Sequence, residues 1–562
     1  MGPRSLAPLA FLFSSFLTGI APVAVAGTCT PESDEKELLW GDLHVHTAYS
    51  LDAYAFGALA TPEAAYAFAR GEPLTLASGE VAKIERPLDF TAVTDHAETF
   101  DLMWACTDPG ESDDPYCQSL RENREALNSR NIFNDFLLPI VSLTPPSFPG
   151  VCATVDCAAA RMSQWQRHQA AANAANEPCE FTALIGYEWT ASPGGRHWHR
   201  NVIYRSEQVP DQAFDYVRFP EVGLLWQQLD KNCRTEDGCD VITIPHNINW
   251  ADGGTFDLTT EPPDITALRR QYERLAEVHQ EKGSSECLPA SREETAGDCR
   301  FELVTENAAK HRMSGPVEDE NAAWEQARQS YYRTLLGAGL AHPENPFQLG
   351  AIGSTDTHFG TPGMVAEASF FGGIALLFAS PEARLSRTDF NGGGLVAVWA
   401  EENTRASIFD ALKRREAYAT SGPRIGLRFG TEAYCADEDT AAGIAMGGTL
   451  PDRSSPEFHI LVARDQAPLD RLEIVKGTMV EGGELKESVR TIATFNNDTT
   501  SQCITWQDPT FDPSAPAYWY LRVLETPTPR WSKRLCAELD QCEAYPDANV
   551  MIQERAWSSP IW

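Results

Sequence analysis

The sequence predicts an α/β fold: a barrel of parallel strands alternating with helices, followed by a smaller all-β, sandwich-like domain. Three observations predict it. Apolar β segments recur between Leu38 and Glu401, and most of them end on a residue able to bind a metal. Helical or irregular sequence separates them, the pattern of a parallel sheet. Beyond Pro423 the texture changes to short strands between Gly, Pro and Asp turns. When many parallel strands carry chemistry at their C-terminal ends, a barrel brings those ends to one face. An open doubly wound sheet, the second choice, draws its site from fewer strands. At 562 residues the chain exceeds one ordinary core. The expected division is a signal peptide over 1–26, a barrel with insertions over 27–422 and a β-rich domain over 423–562.

The N-terminus reads as an export signal. Arg4 precedes an apolar run through Phe11, Leu12, Phe13, Phe16 and Leu17, and small residues then lead to an A-x-A site at Ala24-Val25-Ala26. The run is broken by Ser14, Ser15, Thr18 and Pro22, short for a membrane span. Thr28 before Cys29 disfavours a lipid anchor there. The expected location is therefore secreted or periplasmic, with no later transmembrane segment. The 14 cysteines agree: Cys106 with Cys117, Cys152 with Cys157, Cys233 with Cys239, Cys287 with Cys299 and Cys536 with Cys542 lie close in sequence, as local disulfides do. A net charge of -35 argues against nucleic acid or an anionic membrane as partner. It leaves room for a small anionic substrate, because bound cations can reverse the field inside a pocket.

Taken in order, Leu38–Trp40 is a strand running into His44-Val45-His46, whose alternation puts both imidazoles on one side. Pro62–Arg70 is a short helix with Thr61 as N-cap and Pro62 at the first position. Phe90–Thr94 is a buried strand ending on Asp95 and His96. Helical sequence follows around Ser119–Phe136 and over Gln164–Asn176. Phe181–Thr190 contains Glu188 near its end, and a glycine turn leads through His197 and His199 into a strand at Val202–Arg205. Cys239–His246 ends on a histidine, Phe301–Asn307 on Glu306, and Leu349–His358 on Asp356 and His358. Leu395–Glu401 is a further strand, with a helix and turn over 402–422. Ile425–Phe429, Phe458–Val462, Arg471–Val475 and Tyr518–Val523 are the strands of the C-terminal part.

An isolated His-x-His is more often a hydrogen-bonded pair than a metal site, so the case rests on the whole set. His44, His46, Asp52, Asp95, His96, Glu188, His199, His246, Asp356 and His358 all follow predicted strands or close a strand motif. Six of the chain's 12 histidines fall among them. Mixed imidazole and carboxylate suit zinc, manganese or iron rather than calcium, and the donors outnumber what one tetrahedral ion takes, so two or three divalent metals are expected. Asp95, beside His96, is expected to orient an imidazole or accept its proton. Arg200, Asn201, Asn247, Asn249 and Arg405 are candidates to meet substrate, although a surface ion pair or a turn explains each equally well. Trp189, Trp198 and Trp250 could wall a pocket or simply pack.

The motifs HVHTAYS (44–50), TDH (94–96), YE (187–188), PHN (245–247) and STDTH (354–358) resemble the polymerase and histidinol phosphatase (PHP) superfamily of metal-dependent phosphoesterases. More narrowly, GDLHVHT, RNVIYR (200–205), PHNINW (245–250), AEENTR (400–405) and YATSGPR (418–424) resemble the DUF3604 family. The resemblance implies a distorted barrel of seven β/α units with a trinuclear cluster at the strand C-termini. Carried over by position, His44, His46, Glu188 and Asp356 hold one metal, and Glu188 bridges to a second with His199 and His246. A third uses His96, His358 and Asp52, which stands where many superfamily members have histidine. His197 remains an alternative to His199. The amidohydrolases share the opening His-x-His, but no lysine lies between Lys83 and Lys231 to bridge metals as theirs does. The expected activity is hydrolysis of a phosphoric ester, with a metal-bridging hydroxide as nucleophile and Glu188, Asp95 and Asp356 serving it. Another ester (sulfate or phosphonate), an amide, or a non-catalytic metal-stabilised binding protein are the alternatives.

Overall fold

The computed structural model describes Gly2, Cys29 and residues 36–107, 112–291, 294, 297–304, 319–370, 380–432, 443–451, 455–480 and 482–562. The signal sequence expected over 1–26 lies, Gly2 aside, outside these residues, as does Glu306. The fold is mixed α/β, with one large mixed sheet and several smaller ones.

Every expected strand segment but 301–307 is found, and Leu275–Gln280, Ala417–Thr420 (in a stretch expected as helix and turn), Leu485–Thr494, Ser501–Gln507 and Arg555–Ser558 are strands beyond them. In the first half the longer strands are β1 (Glu37–Asp42), β2 (Phe90–Val93), β3 (Thr182–Trp189), β4 (Arg200–Tyr204), β5 (Val241–Pro245), β6 (Leu275–Gln280), β7 (Gly350–Gly353), β8 (Leu395–Ala400) and β9 (Ala417–Thr420). The C-terminal part contributes β10 (Gly426–Gly430), β11 (Glu457–Ala463), β12 (Leu469–Met479), β13 (Leu485–Thr494), β14 (Ser501–Gln507), β15 (Ala517–Glu525) and β16 (Arg555–Ser558). The eleven-stranded sheet runs β13-β12-β15-β16-β9-β8-β1-β2-β3-β4-β5. Neighbours β1, β2 and β3 are parallel, while β4 is antiparallel to both β3 and β5. A second sheet pairs β7 with β6 in parallel.

No hydrogen-bonded sheet closes on itself among the described residues. Two isolated parallel bridges nevertheless link the two sheets: Thr243 in β5 to Glu273, just before β6, and Val45, just after β1, to Thr357, just after β7. The large sheet also crosses the boundary expected at residue 422, since β9 pairs with β16 and β16 with β15. The three-stranded sheet β10-β11-β14 turns Phe429, Phe458 and Ile460 into one core with Leu472, Trp519 and Leu521 of β12 and β15.

One strand expectation is corrected. Residues 301–304 form a turn and irregular backbone, not a strand. The strand in that part of the chain is β6, where Glu277 and His279 alternate with Ala276 and Val278 and all six residues are buried. Polar side chains on its inner face interrupt the apolar run that marks a strand in sequence. The N-terminal helix behaves as expected: α1 (Leu51–Phe56) follows the opening motif, and α2 (Pro62–Ala69) starts on Thr61, whose hydroxyl accepts from the Ala64 amide. Helix α3 spans Cys157–Ala175.

The five cysteine pairs expected from sequence form disulfides, and Cys29 joins Cys179 across 150 residues. Six bridges among the described residues fit an oxidising, extracellular setting. The Cys29 sulfur, bonded to Cys179, has no valence left for a thioether lipid. No helix among the described residues is long and apolar enough to cross a membrane.

Candidate metal centre

The ends of β1, β2, β3, β5 and β7 converge, and the loops that follow are tied together before any ligand is considered. Gly41 in β1 lies so close to β2 that a Cβ there would meet the Phe90 ring at 2.3 Å. Asp42 then fixes two motifs to each other. Its carboxylate accepts from the amides of His44 (3.2 Å), Thr355 (3.1 Å) and Gly363 (2.9 Å) and from the Thr355 hydroxyl (2.6 Å). Asp95 does the same for the opening loop, accepting from the Thr47 amide and hydroxyl (both 2.6 Å) and from Ser50 Oγ (2.7 Å), with His168 Nε2 at 3.0 Å.

These supports aim the imidazoles. His44 Nδ1 meets Glu277 Oε2 at 3.0 Å, His46 Nδ1 meets Ser50 Oγ at 2.9 Å, His96 Nδ1 meets Thr190 Oγ1 at 2.6 Å, and His358 Nδ1 meets the Asp356 carbonyl at 2.8 Å. Each ring thereby presents Nε2 to the centre. His199 is held the other way round, with Nε2 on Ser192 Oγ (2.7 Å) and Nδ1 inward. Fixing one ring nitrogen so that the other points at a common centre is how proteins orient metal-binding histidines. At His246 neither nitrogen has a hydrogen-bond partner among the described residues, although the residue is 1 % exposed.

The inward atoms form three adjoining groups. His44 Nε2 and His46 Nε2 lie 3.2 Å apart, each 3.2 Å from Glu188 Oε2 and 3.3 Å from Asp356 Oδ1. Four tetrahedral ligands about 2.0–2.1 Å from an ion are roughly 3.3 Å from one another, so this donor set has the dimensions of a tetrahedral metal shell. The second oxygen of Glu188 lies 2.9 Å from His199 Nδ1 and 3.4 Å from His246 Nε2. Asp52 Oδ2 lies 3.0 Å from His96 Nε2 and 3.1 Å from His358 Nε2. Three-residue groups able to hold a metal ion include His44, His46 and Asp356; His44, Glu188 and His246; and His46, His96 and His358.

Charge explains how these groups coexist out of water. Burial pushes the Glu188 carboxyl up, but the imidazoles of His96, His246 and His199 overcome it and hold it well below the usual range. Asp52 is likewise raised by burial and brought well below by His96 and His358. Burial would lower His44, yet Asp356 and Glu277 keep it well above its ordinary value. His246 is pushed down to about 3 by burial and then by His44, which leaves it neutral, the state that ligates metal.

All nine metal ligands expected from sequence therefore meet in one cluster, and His199 rather than His197 reaches Glu188. His197, half-buried, stacks on His199 at 4.5 Å and meets the Trp250 ring edge-on at 4.9 Å, while Trp198 packs away with its indole on the Ala251 carbonyl. Asp95 touches the loop and not the cluster, so its part is positioning. The substrate candidates divide. Asn201 lies opposite Glu188 in the β3–β4 register and donates to the Leu43 carbonyl. Asn247 takes the left-handed conformation (φ 52°) and accepts from Gln280, which also donates to Asp356 Oδ2 (2.9 Å). Asn249 is buried and donates to the Lys282 carbonyl, a turn contact.

Arg200 and Arg405 are not brought to the cluster. Arg200 is fully buried on the other face of β4, with Nε on Glu273 Oε1 at 2.8 Å. Arg405 binds the carbonyls of Ala183 and Ala172, at the opposite end of β3 from Glu188. Trp189 packs in the core, its indole donating to Phe219. Four residues escaped the sequence reading: Glu277, Gln280, Glu281 and Lys282, all from β6 or its end. Lys282 Nζ contacts Asp356 and lies 3.2 Å from Glu281, and Glu281 forms a fourth possible metal group with Asp356 and His358. The period-two alternation of LAEVHQ was the available signal.

The fold and site define a mixed α/β protein with a candidate centre for more than one metal ion. The chain belongs to the DUF3604 family, described as a protein of unknown function, whose model matches residues 33–505 and 499–562. No curated protein and no solved structure matches the chain.

Proposed function

We propose that this protein is an exported metal-dependent hydrolase of ester bonds, with a small phosphoric ester as its leading substrate class. The observation that carries the proposal is the carboxylate of Glu188. One of its oxygens completes the tetrahedral-sized donor set with His44, His46 and Asp356, while the other faces His199 and His246. A carboxylate shared between two donor sets is what a bridged metal pair needs, and Asp52 with His96 and His358 offers a third place. The donor chemistry suits zinc, manganese or iron. Bound divalent ions would supply positive charge that polarises the ester oxygen, stabilises the leaving oxygen and acidifies a water.

The chain's own residues do the rest. Asp42 and Asp95 hold the two ligand loops in register. Ser50, Glu277, Thr190 and Ser192 keep the rings aimed. Lys282, on Asp356, and Asn247, bonded to Gln280, would orient a substrate oxyanion, and His197 and Trp250 would border the approach. The PHP resemblance is part of this proposal. The bridges Thr243–Glu273 and Val45–Thr357 support it, since they lie where a distorted barrel of β1 to β7 would need β5 to meet β6 and β7 to meet β1. So does the A-x-A leader for export.

The test is to assay the purified mature protein on aryl phosphate mono- and diesters, with and without chelator. Chelator-sensitive turnover is expected. A metal-loaded protein inert on phosphate, sulfate and phosphonate esters would instead favour a non-catalytic binding role.

A further inference from the structure

Helix α3 carries a histidine that the cluster does not contain. His168 lies on the buried face of the helix with Arg161, Gln164 and Trp165, the spacing of one helical stripe, and is 4 % exposed. Its ring sits between two others. Phe100, at 5.0 Å, belongs to the helix Phe100–Cys106 that follows the TDH motif, and Tyr49, at 6.0 Å, belongs to the opening loop. The preceding Arg167 holds its guanidinium 4.6 Å from the same Tyr49 ring. A histidine on an Ala-rich helix ordinarily packs, and these contacts are packing.

One contact is not. His168 Nε2 lies 3.0 Å from Asp95 Oδ2, close although off the line of an aligned hydrogen bond. The three hydrogen bonds to the Asp95 carboxylate all come from the loop it holds: the Thr47 amide and hydroxyl, both at 2.6 Å, and the Ser50 hydroxyl at 2.7 Å. Ser50 gives its one proton to Asp95, so its oxygen is left to accept, from the His96 amide at 3.2 Å and from His46 Nδ1 at 2.9 Å. A proton on Nδ1 leaves Nε2 bare, and Nε2 is the nitrogen of His46 that faces His44, Glu188 and Asp356. The direction of the Ser50–Asp95 hydrogen bond thus sets the tautomer of a ligand. Among the described residues, His168 is the side chain from outside the opening loop that meets this carboxylate.

We infer that His168 is a positioning residue of the metal centre. It ties the Asp95 carboxylate to helix α3, Asp95 orients the Ser50 hydroxyl, and Ser50 fixes the His46 ring with Nε2 free for a metal. The inference rests on reading the cluster as a metal centre, and not on the reaction proposed for it.

The test compares His168→Phe and His168→Gln in the purified full-length chain. Each is stripped of metal, then titrated with zinc against a coloured chelator and with cobalt(II), whose visible absorption reports ligand geometry. Phenylalanine keeps a flat ring between Phe100 and Tyr49 and loses the polar contact; glutamine loses the ring and keeps an N–H for Asp95. His168→Phe should weaken zinc binding about tenfold and shift the cobalt bands, and His168→Gln should recover most of both. His168→Leu takes the place of His168→Phe should that variant fail to fold. Added to Asp95→Asn, His168→Phe should weaken binding by no more than about twofold further, because its effect runs through Asp95. Packing alone predicts the opposite order, with His168→Phe like wild type and His168→Gln weakened. Wild-type binding by His168→Phe, equal losses in the two variants, or losses that add fully to that of Asp95→Asn would overturn the inference. A wild-type chain that binds neither zinc nor cobalt would instead overturn the metal-centre reading, and the inference with it.

Discussion

His199 and Arg200 are neighbours in sequence and belong to different layers of the molecule. His199 turns in to Glu188, 2.9 Å away. Arg200 turns out, into a buried network in which it binds Glu273, Glu273 binds Arg269 at 2.6 Å, and Arg269 also holds Glu261. In that network each guanidinium finds a carboxylate, although Arg200 Nη2 has no hydrogen-bond partner among the described residues. In the cluster the donors are imidazoles and carboxylates crowded together, and neither nitrogen of His246 has a hydrogen-bond partner among the described residues. A polar layer whose cations pair with carboxylates can serve as scaffold; one whose donors point at a common centre could hold an ion.

The sharpest way to break this contrast is to remove one donor from each layer. Asp356→Asn should reduce ester turnover by about 10³-fold or more, the several kcal/mol of transition-state charge stabilisation a metal site supplies, while the thermal midpoint of the metal-free protein changes little. Arg200→Met should do the reverse. It takes one of two guanidinium partners from buried Glu273 and leaves Arg269 on the other oxygen, so chemical denaturation should show a loss of about 1–3 kcal/mol, with metal content per folded chain unchanged. Equal effects of the two variants on turnover would erase the distinction.

A smaller effect is expected one layer behind the ligands. Asp95→Asn loosens the loop that carries His44 and His46 without removing a donor, so metal affinity should weaken about 10- to 100-fold, measured by competition with a coloured chelator. Smaller still is the cost of a buried carboxyl that has no cation at all. Glu525, at the end of β15, is pushed up to about 8 by burial and by Asp465, and its Oε1 has no hydrogen-bond partner among the described residues. Its folded form holds a proton that the unfolded chain gives up near 4.5, so wild-type stability should fall as pH rises from about 5 to 8. Glu525→Gln should flatten that fall, as pH-dependent denaturation would show. An unchanged pH profile would mean that Glu525 is ionised without cost.

The ligand set was legible because each donor closes an apolar strand or stands in a short motif beside one: TDH after Phe90–Val93, YE inside Thr182–Trp189, PH after Val241–Thr243. What escaped did so for physical reasons. Strand β6 turns Glu277 inward to His44, so the residue that anchors a ligand is the one that breaks the apolar run. Arg200 adjoins a ligand in sequence, yet alternation along a strand puts adjacent side chains on opposite faces, and that rule alone separates it from His199. The joining of the C-terminal strands to the large sheet rests on β9 pairing with β16, partners more than 130 residues apart, for which no local signal exists.

The central claim is that Glu188 is shared between two metal sites. Metal content of the purified full-length protein and of Glu188→Gln, by elemental mass spectrometry, tests it most directly. The account predicts two or three divalent ions per wild-type chain and the loss of at least two in a variant that remains folded. Full metal occupancy in folded Glu188→Gln would contradict it.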